Sequence, residues 1–290
     1  VTTMCMDLGT RTMGYLCEKL SLPGPGRAGT EGARDKALQK RIYEKNAIAT
    51  APFRIVKSER EVFEAAEEIG FPLMVKAVDL TGSRGIYKAE NEEEAFSFFR
   101  EAMALSGKET CVLEKFLEGT MFGVTGMMSQ GKAAFILPLG NVLHPGNPPF
   151  PAGHYVPWGK EEGLFRKIRA MVEETCRALQ FDNCAFDLDC MLAGDMCYVI
   201  EATPRASRTV PLVSKVCDTQ MARLATRMML GESLESLGLK DKKIPYYGAK
   251  EAVLPWARFP GVDPILGPEM RSTGEVLGLA ETFPLAFYKS

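Results

Sequence analysis

Apolar positions recur along this chain at two spacings, one helical and one alternating. Met13, Leu16, Cys17 and Leu20 share a face of a helix predicted over residues 11–20. A Gly/Pro loop at 22–26 ends it. A polar helix over about 31–45 follows and carries Lys36 and Lys40. Residues 50–56 read as a turn and a short strand. Ser58 with Glu61 forms a capping box that opens a helix to about Ile69. Leu73 to Ala77 is a short buried strand containing Lys76, and 79–87 is a loop with two glycines. Asn91 with Glu94 opens another helix, and 110–114 is a strand. Runs at 121–128 and 133–139 flank Ser129-Gln130-Gly131-Lys132 as a hairpin. Residues 140–160, rich in Gly and Pro, are expected to form a mobile loop. Helical periodicity returns over 162–179 and 219–230, and a strand is expected around 250–255. Helices and strands alternate loosely, with hairpins between them, which favours an α+β fold over a doubly wound parallel sheet.

The segment from Asp182 to Arg205 carries the most chemistry. Two alternating apolar runs flank Ala193-Gly194-Asp195, a hairpin signal. Folding it about Gly194 sets Asp187 opposite Glu201, with Asp189 on the face of Asp187. Like charges in that position destabilise a strand pair. Phe186, Leu188, Val199 and Ile200 imply a largely buried sheet. Two outcomes follow: the acids raise one another's pKa, or a cation holds them. A hard divalent ion such as Mg²⁺, or Mn²⁺ in its place, suits oxygen ligands. A solvated acidic face on an ordinary hairpin is the plainer alternative. Arg205 and Arg208 follow Glu201 directly, and arginines beside Mg²⁺ point to a phosphate ligand.

The remaining candidates are weaker one by one. Lys76 in an apolar strand either snorkels or holds an anion. Gly82-Ser83-Arg84-Gly85, directly after it, can aim backbone N–H groups at a phosphate. It does not match the Walker A pattern. Glu114, Lys115 and Phe116 form a connector that offers an adenine backbone hydrogen bonds and apolar walls, or serves as a plain linker. His144 is either a loop residue or a phosphate contact. No Ser/His/Asp or Cys/His nucleophile set stands out. Spacing alone leaves two-carboxylate glycosidase chemistry open, but the lysines and arginines favour an anionic substrate.

Composition narrows the classes. With 290 residues, one large or two modest domains fit. A net charge of −2 gives no reason to expect nucleic acid or an anionic membrane. No apolar run is long enough to span a bilayer. The eight cysteines form no CxxC pair, and most lie in apolar runs, as in a reducing cytosol. Together with the lack of a signal-peptide pattern, this makes a cytoplasmic location the expectation. Two histidines are too few for a His-rich zinc site. The chain starts at Val1 in what reads as the middle of a fold.

The order of these parts resembles an ATP-grasp domain over nearly the whole chain. A lysine precedes the first small-domain strand, and a second precedes a Gly-rich loop; a Glu hinge, an acid hairpin and a Pro-Arg exit follow. The segments ASRTVPLVSK (206–215) and FPGVDPILGPEMRSTGEV (259–276) resemble in particular the large subunit of carbamoyl-phosphate synthetase.

The resemblance implies an α+β ATP-grasp fold of two subdomains gripping a nucleotide. Residues 1–30 would end a preceding α/β domain. Residues 31–290 would be the ATP-grasp domain: a small lid subdomain at about 50–113, a central sheet at 114–245, and a synthetase-like segment at 246–290. It implies that Lys36, Lys76, Gly82, Ser83 and Arg84 hold the phosphates of ATP, and that Glu114, Lys115 and Phe116 form the adenine hinge. His144 would lie near the phosphates, Asp187 and Glu201 would hold Mg²⁺, and Arg205 and Arg208 would serve the transferring group. The implied activity is a ligase that activates a carboxylate or carbamate as an acyl phosphate for an amine or similar nucleophile. Its partners would be small-molecule carboxylate and amine substrates, with no nucleic acid or membrane, and a homo-oligomer allowed. Two positions depart from the pattern. The acid that would hold the ribose falls at Met121, and a third metal ligand, often Asn, falls at Thr203. They motivate the alternative of a nucleotide-binding regulatory protein with a degenerate site.

Overall fold

The polar stretch read as one helix is two. α1 (Asp7–Leu20) leads to α2 (Arg27–Gly32), and the chain restarts as α3 (Lys36–Lys45). Asp35 forces the break: its carboxylate accepts from the Leu38 amide at 3.0 Å and caps α3 from an extended backbone. The structure is a computed structural model. It describes residues 2–3, 7–146, 148–238, 241, 244–254, 256–258, 260–261, 265 and 274–290. Most of the synthetase-like tail at 259–276 thus lies outside the described residues.

Two antiparallel sheets follow. β1 (Phe53–Val56), α4 (Glu59–Ile69), β2 (Leu73–Ala77), β3 (Ile86–Ala89), α5 (Glu92–Leu105) and β4 (Cys111–Lys115) build a four-stranded sheet ordered β1-β4-β2-β3. Both helices have the side-chain caps expected of them, from Ser58 and Asn91. Val62 of α4 and Phe99 of α5 pack on Leu73, Val75 and Leu113 of the sheet.

The second sheet contains β5 (Thr120–Ser129), β6 (Lys132–His144), β7 (Phe150–Val156), β8 (Cys184–Ala193), β9 (Met196–Thr203), β10 (Tyr247–Ala252) and β11 (Glu275–Ala280). Its order is β11-β10-β7-β6-β5-β8-β9, which leaves β9 at an edge. The helices are α6 (Glu162–Ala178), α7 (Val210–Val216), α8 (Met221–Met229), α9 (Leu234–Leu237) and α10 (Phe283–Lys289). Phe122, Val124, Ile136, Phe186 and Leu188 face α6 and Tyr43. Met127, Leu137, Leu139 and Ala185 point the other way, onto Val213 of α7 and Met221 and Met228 of α8. No helix among the described residues is long and apolar enough to cross a membrane.

Two expectations are corrected. Residues 140–160 are mainly paired strand, not a mobile loop. Their glycines mark close approach within the sheet. A side chain at Gly140 would collide with the Tyr155 ring, and one at Gly153 would meet the Lys250 carbonyl at 2.7 Å. The acid hairpin also has a different register. Gly194 takes the left-handed conformation the turn needs (φ 57°), but the ladder slips between Asp189 and Cys190. With Ile200 left over at that bulge, Asp189 faces Glu201, and Asp187 faces Thr203.

Candidate active site

The slip leaves the acids on one side. Directly paired residues share a face, so Asp187, Asp189, Glu201 and Thr203 all project from the side of the sheet that carries α7 and α8. Thr125 of β5 continues the row opposite Asp187. Ser207 donates to Asp187 Oδ1 at 3.0 Å, and the Thr209 amide donates to Ser207 Oγ at 3.1 Å. Burial pushes the Asp187 carboxyl up, against the pull of Ser207 and Arg205. Asp189 is pushed up to about 7, first by burial and then by the charges of Asp187 and Glu201. Arg205 donates through Nε to Asp7 Oδ1 of α1. Arg208 presents its backbone carbonyl to Lys250 Nζ at 2.6 Å, and that ammonium also reaches Glu275 Oε1 at 2.6 Å.

The lysines form a second centre. Lys76 on β2 pairs with Glu114 Oε1 on β4, and Lys40 on α3 lies 2.6 Å from Glu114 Oε2. All three side chains are at most 9% exposed. Burial works to raise the Glu114 carboxyl, but the two lysines outweigh it and hold it down at about 2. Burial pulls Lys40 downward, and Lys76 adds to the effect. Two buried cations thus share one carboxylate. Lys36 stands apart: its Nζ donates to the Leu80 carbonyl at 2.6 Å, at the root of the glycine loop. In that loop Gly82, Ser83 and Gly85 have φ of 68°, 62° and 66°. Asp79 anchors its base by accepting from Ser106 Oγ at 2.6 Å and the Gly107 amide at 2.9 Å. Arg84 is exposed on the same loop.

At the connector, Lys115 Nζ donates to the Phe71 carbonyl at 2.7 Å, and Lys88 Nζ sits 4.4 Å from the centre of the Phe116 ring. His144 closes β6, bonds the carbonyl of Pro145 at 2.8 Å and stacks on Phe150. The structure therefore brings together Lys76 with Glu114, and Asp187 with Glu201 and Arg205, while the Arg208 side chain is exposed and its charge acts on Asp189. Lys115 and His144 make contacts of their own, to nearby backbone carbonyls.

Sequence reasoning gave no role to Lys40, Gln39, Asn141, His154 or Lys250. Only the helical offset of Lys40 from Lys36, which shares its face, pointed to it. Gln39 clasps the outer edge of β9, donating to the Ala202 carbonyl at 2.7 Å and accepting from its amide at 3.1 Å. His154 pairs in register with both Asn141 and Lys250. Its Nδ1 bonds Asn141 Oδ1 at 2.8 Å, so Nδ1 carries the proton. Burial, then Lys250 and Arg208, push His154 down to about 3. A histidine held neutral contributes stability that is lost as pH falls from about 6.5 toward about 3. Between pH 7 and 5 the protein is expected to lose about 2 kcal/mol on this account. Urea unfolding of His154→Asn should show a correspondingly shallower loss; an unchanged loss would refute the assignment.

Known proteins resemble this chain in sequence and in fold. The family described as "Phosphoribosylglycinamide synthetase, ATP-grasp (A) domain" matches residues 34–142. The carbamoyl phosphate synthase large chain of Ralstonia nicotianae is 34% identical over 272 residues, covering 90% of this chain and 25% of that one. The chain belongs to the ATP-grasp superfamily. It spans about a quarter of the length of the curated relatives it matches. The phosphoribosylglycinamide synthetase structure from Anaerococcus prevotii superposes with a TM-score of 0.73 at 24% identity, covering 97% of this chain and 77% of that one. The biotin carboxylase domain dimer of Hydrogenobacter thermophilus 2-oxoglutarate carboxylase, in complex with MgADP, ADP and bicarbonate, gives 0.68 at 20% identity, covering 83% and 55%. The ATP-grasp fold here thus pairs a four-stranded sheet holding the lysine centre with a seven-stranded sheet holding the acid centre.

Proposed function

We propose that this ATP-grasp domain uses Mg-ATP to activate a carboxylate or carbamate as an acyl phosphate, which an amine or similar nucleophile then attacks. One observation carries this reading: a buried cluster with an excess cation (Lys40, Lys76, Glu114) and a half-buried row with excess anions (Asp187, Asp189, Glu201) in the same fold. The first calls for an anion such as phosphate, and the second for a cation.

Among the described residues no group of three or more His, Cys, Asp or Glu side chains is poised to hold a metal ion by itself. The acids nevertheless fit Mg²⁺, which protein sites bind through one or two carboxylates with phosphates supplying further oxygens. Asp187 and Glu201 would hold it; burial pushes the carboxyls of Asp187 and Asp189 up, and a bound cation would oppose that. Bound there, Mg²⁺ would neutralise charge on the phosphates.

Lys76 and Lys36 would neutralise phosphate oxygens, with the amides of Gly82 and Ser83 and the charge of Arg84 over them. Glu114, Lys115 and Phe116 would frame the adenine, and His144 would stand near the phosphates. The acceptor's carboxylate oxygen attacks the γ-phosphorus, and ADP leaves. The nucleophile's lone pair then attacks the acyl carbon, and inorganic phosphate leaves. Arg205 and Arg208 would steady the acyl phosphate, so that the chain contributes position and charge. The 50–113 subdomain would act as the lid over the sheet of 114–245, after an α/β segment ending near 30 and before the 246–290 segment.

Met121 and Thr203 favour a second reading, a nucleotide-binding protein without turnover. Thr203 Oγ1 turns 3.4 Å toward the Asp187 carbonyl. A thermal-shift titration tests the first reading. Saturating ATP with Mg²⁺ should raise the melting temperature by about 5–10 °C, and ATP with a chelator by much less. No shift under either condition overturns both readings. A Mg²⁺-dependent shift without phosphate release over a panel of carboxylates and amines favours the second.

A further inference from the structure

Lys40 is a buried cation that the ligase reading leaves without a task. Its Nζ is held from two sides, by Glu114 Oε2 at 2.6 Å and by Thr50 Oγ1 at 2.5 Å, with the Phe53 ring centre 5.6 Å away. Thr50 Oγ1 donates onward to the Val199 carbonyl at 2.8 Å, on the strand that carries Glu201. The neighbouring Gln39 grips Ala202 of the same strand. Lys40 is therefore fixed in place, bridging β4 of the small sheet to β9 of the large one. Lys76 is held differently. Among the described residues its ammonium has only Glu114 as a polar partner, and its side chain is the more accessible of the two, 9% against 4%.

Resting on the Mg-ATP reading above, we propose that Lys40 is a positioning residue, the permanent counter-ion of Glu114, which frees Lys76 to leave that carboxylate and take the phosphates of the nucleotide. With Lys76 as its sole partner, Glu114 would resist the move, because departure would strand a buried carboxylate without a cation. With Lys40 in place the carboxylate stays paired, and the excess positive charge moves with Lys76 to the incoming anion. Position and accessibility decide which lysine moves: the one tied to Thr50 stays.

The test measures Mg-ATP binding by calorimetry in the full chain. Lys40→Met should weaken binding by about tenfold or more, because Lys76 is then locked on Glu114 and the competent fraction falls. Once Glu114 is neutral, Lys40 has nothing left to balance. Lys40→Met placed on Glu114→Gln should therefore change affinity by less than about threefold relative to Glu114→Gln alone. This comparison holds even if Lys40→Met alone folds poorly. A merely structural Lys40 would show the same loss in both backgrounds, and that result would overturn the proposal. So would wild-type affinity in Lys40→Met. A wild-type chain that binds no Mg-ATP at all would instead defeat the ligase reading, which separates the two failures.

Discussion

Glu201→Ala should lower ATP turnover by about 10³-fold or more and leave the fold intact, since on the proposed function it removes a carboxylate that would hold Mg²⁺, and a cation placed at the transferring group is worth about that much. Glu201 lies opposite Asp189 and beside Asp187, and its charge adds to the burial that pushes both aspartates up. Removing one of three like charges relieves that repulsion, so the nucleotide-free variant should melt no lower than wild type at pH 7.5. The increment in melting temperature that needs both ATP and Mg²⁺ should disappear. Circular dichroism, melting curves and phosphate release measure these separately. Turnover that survives the substitution would remove the acid row from the chemistry. A collapse of the fold would mean that Glu201 is held by contacts other than those described.

The acid row shows what a single chain makes legible. Alternation and a glycine turn were enough to find the hairpin and to place Asp187, Asp189 and Glu201 on one face. The partner of each acid was misread because a bulge has no signature in sequence: Ile200 looks like any other strand residue. The error was harmless to the face, because the two-residue turn at Gly194-Asp195 and the bulge each move the pairing by one position, two in all, and side chains alternate with that period. Residues 140–160 failed for another reason. Glycine was taken for looseness, whereas Gly140 and Gly153 are small because Tyr155 and the Lys250 backbone press on them. Lys40 was passed over because it stands in a polar helix beside solvent-facing lysines. Only the tertiary fold reveals that its turn of α3 is wedged between Glu114 and the edge of β9. Contacts that join residues distant in sequence, such as Asp7 with Arg205, have no local pattern to read.

Glu114→Ala should be the most destabilising of the single substitutions considered, costing about 3–5 kcal/mol at pH 7, because it leaves two ammonium groups buried together without a carboxylate. The pH dependence identifies the cause. The wild-type Glu114 carboxyl is held at about 2, against 4.5 for the free group. Its contribution is complete above about 4.5 and is lost as pH falls toward about 2. The gap between wild type and Glu114→Ala should therefore close on the acid side. On the alkaline side the variant should recover as a lysine gives up its proton, and Lys40, already pushed down by burial, is the one placed to do so first. Added sulfate or phosphate should stabilise Glu114→Ala more than wild type, since an anion can replace the missing charge. Denaturant midpoints across pH, with and without phosphate, test each limb. A loss below about 1 kcal/mol, of the size seen for exposed pairs, would mean that water reaches both lysines. The lysine centre would then hold no unbalanced buried charge, and the attraction for a nucleotide's phosphates would have to arise elsewhere.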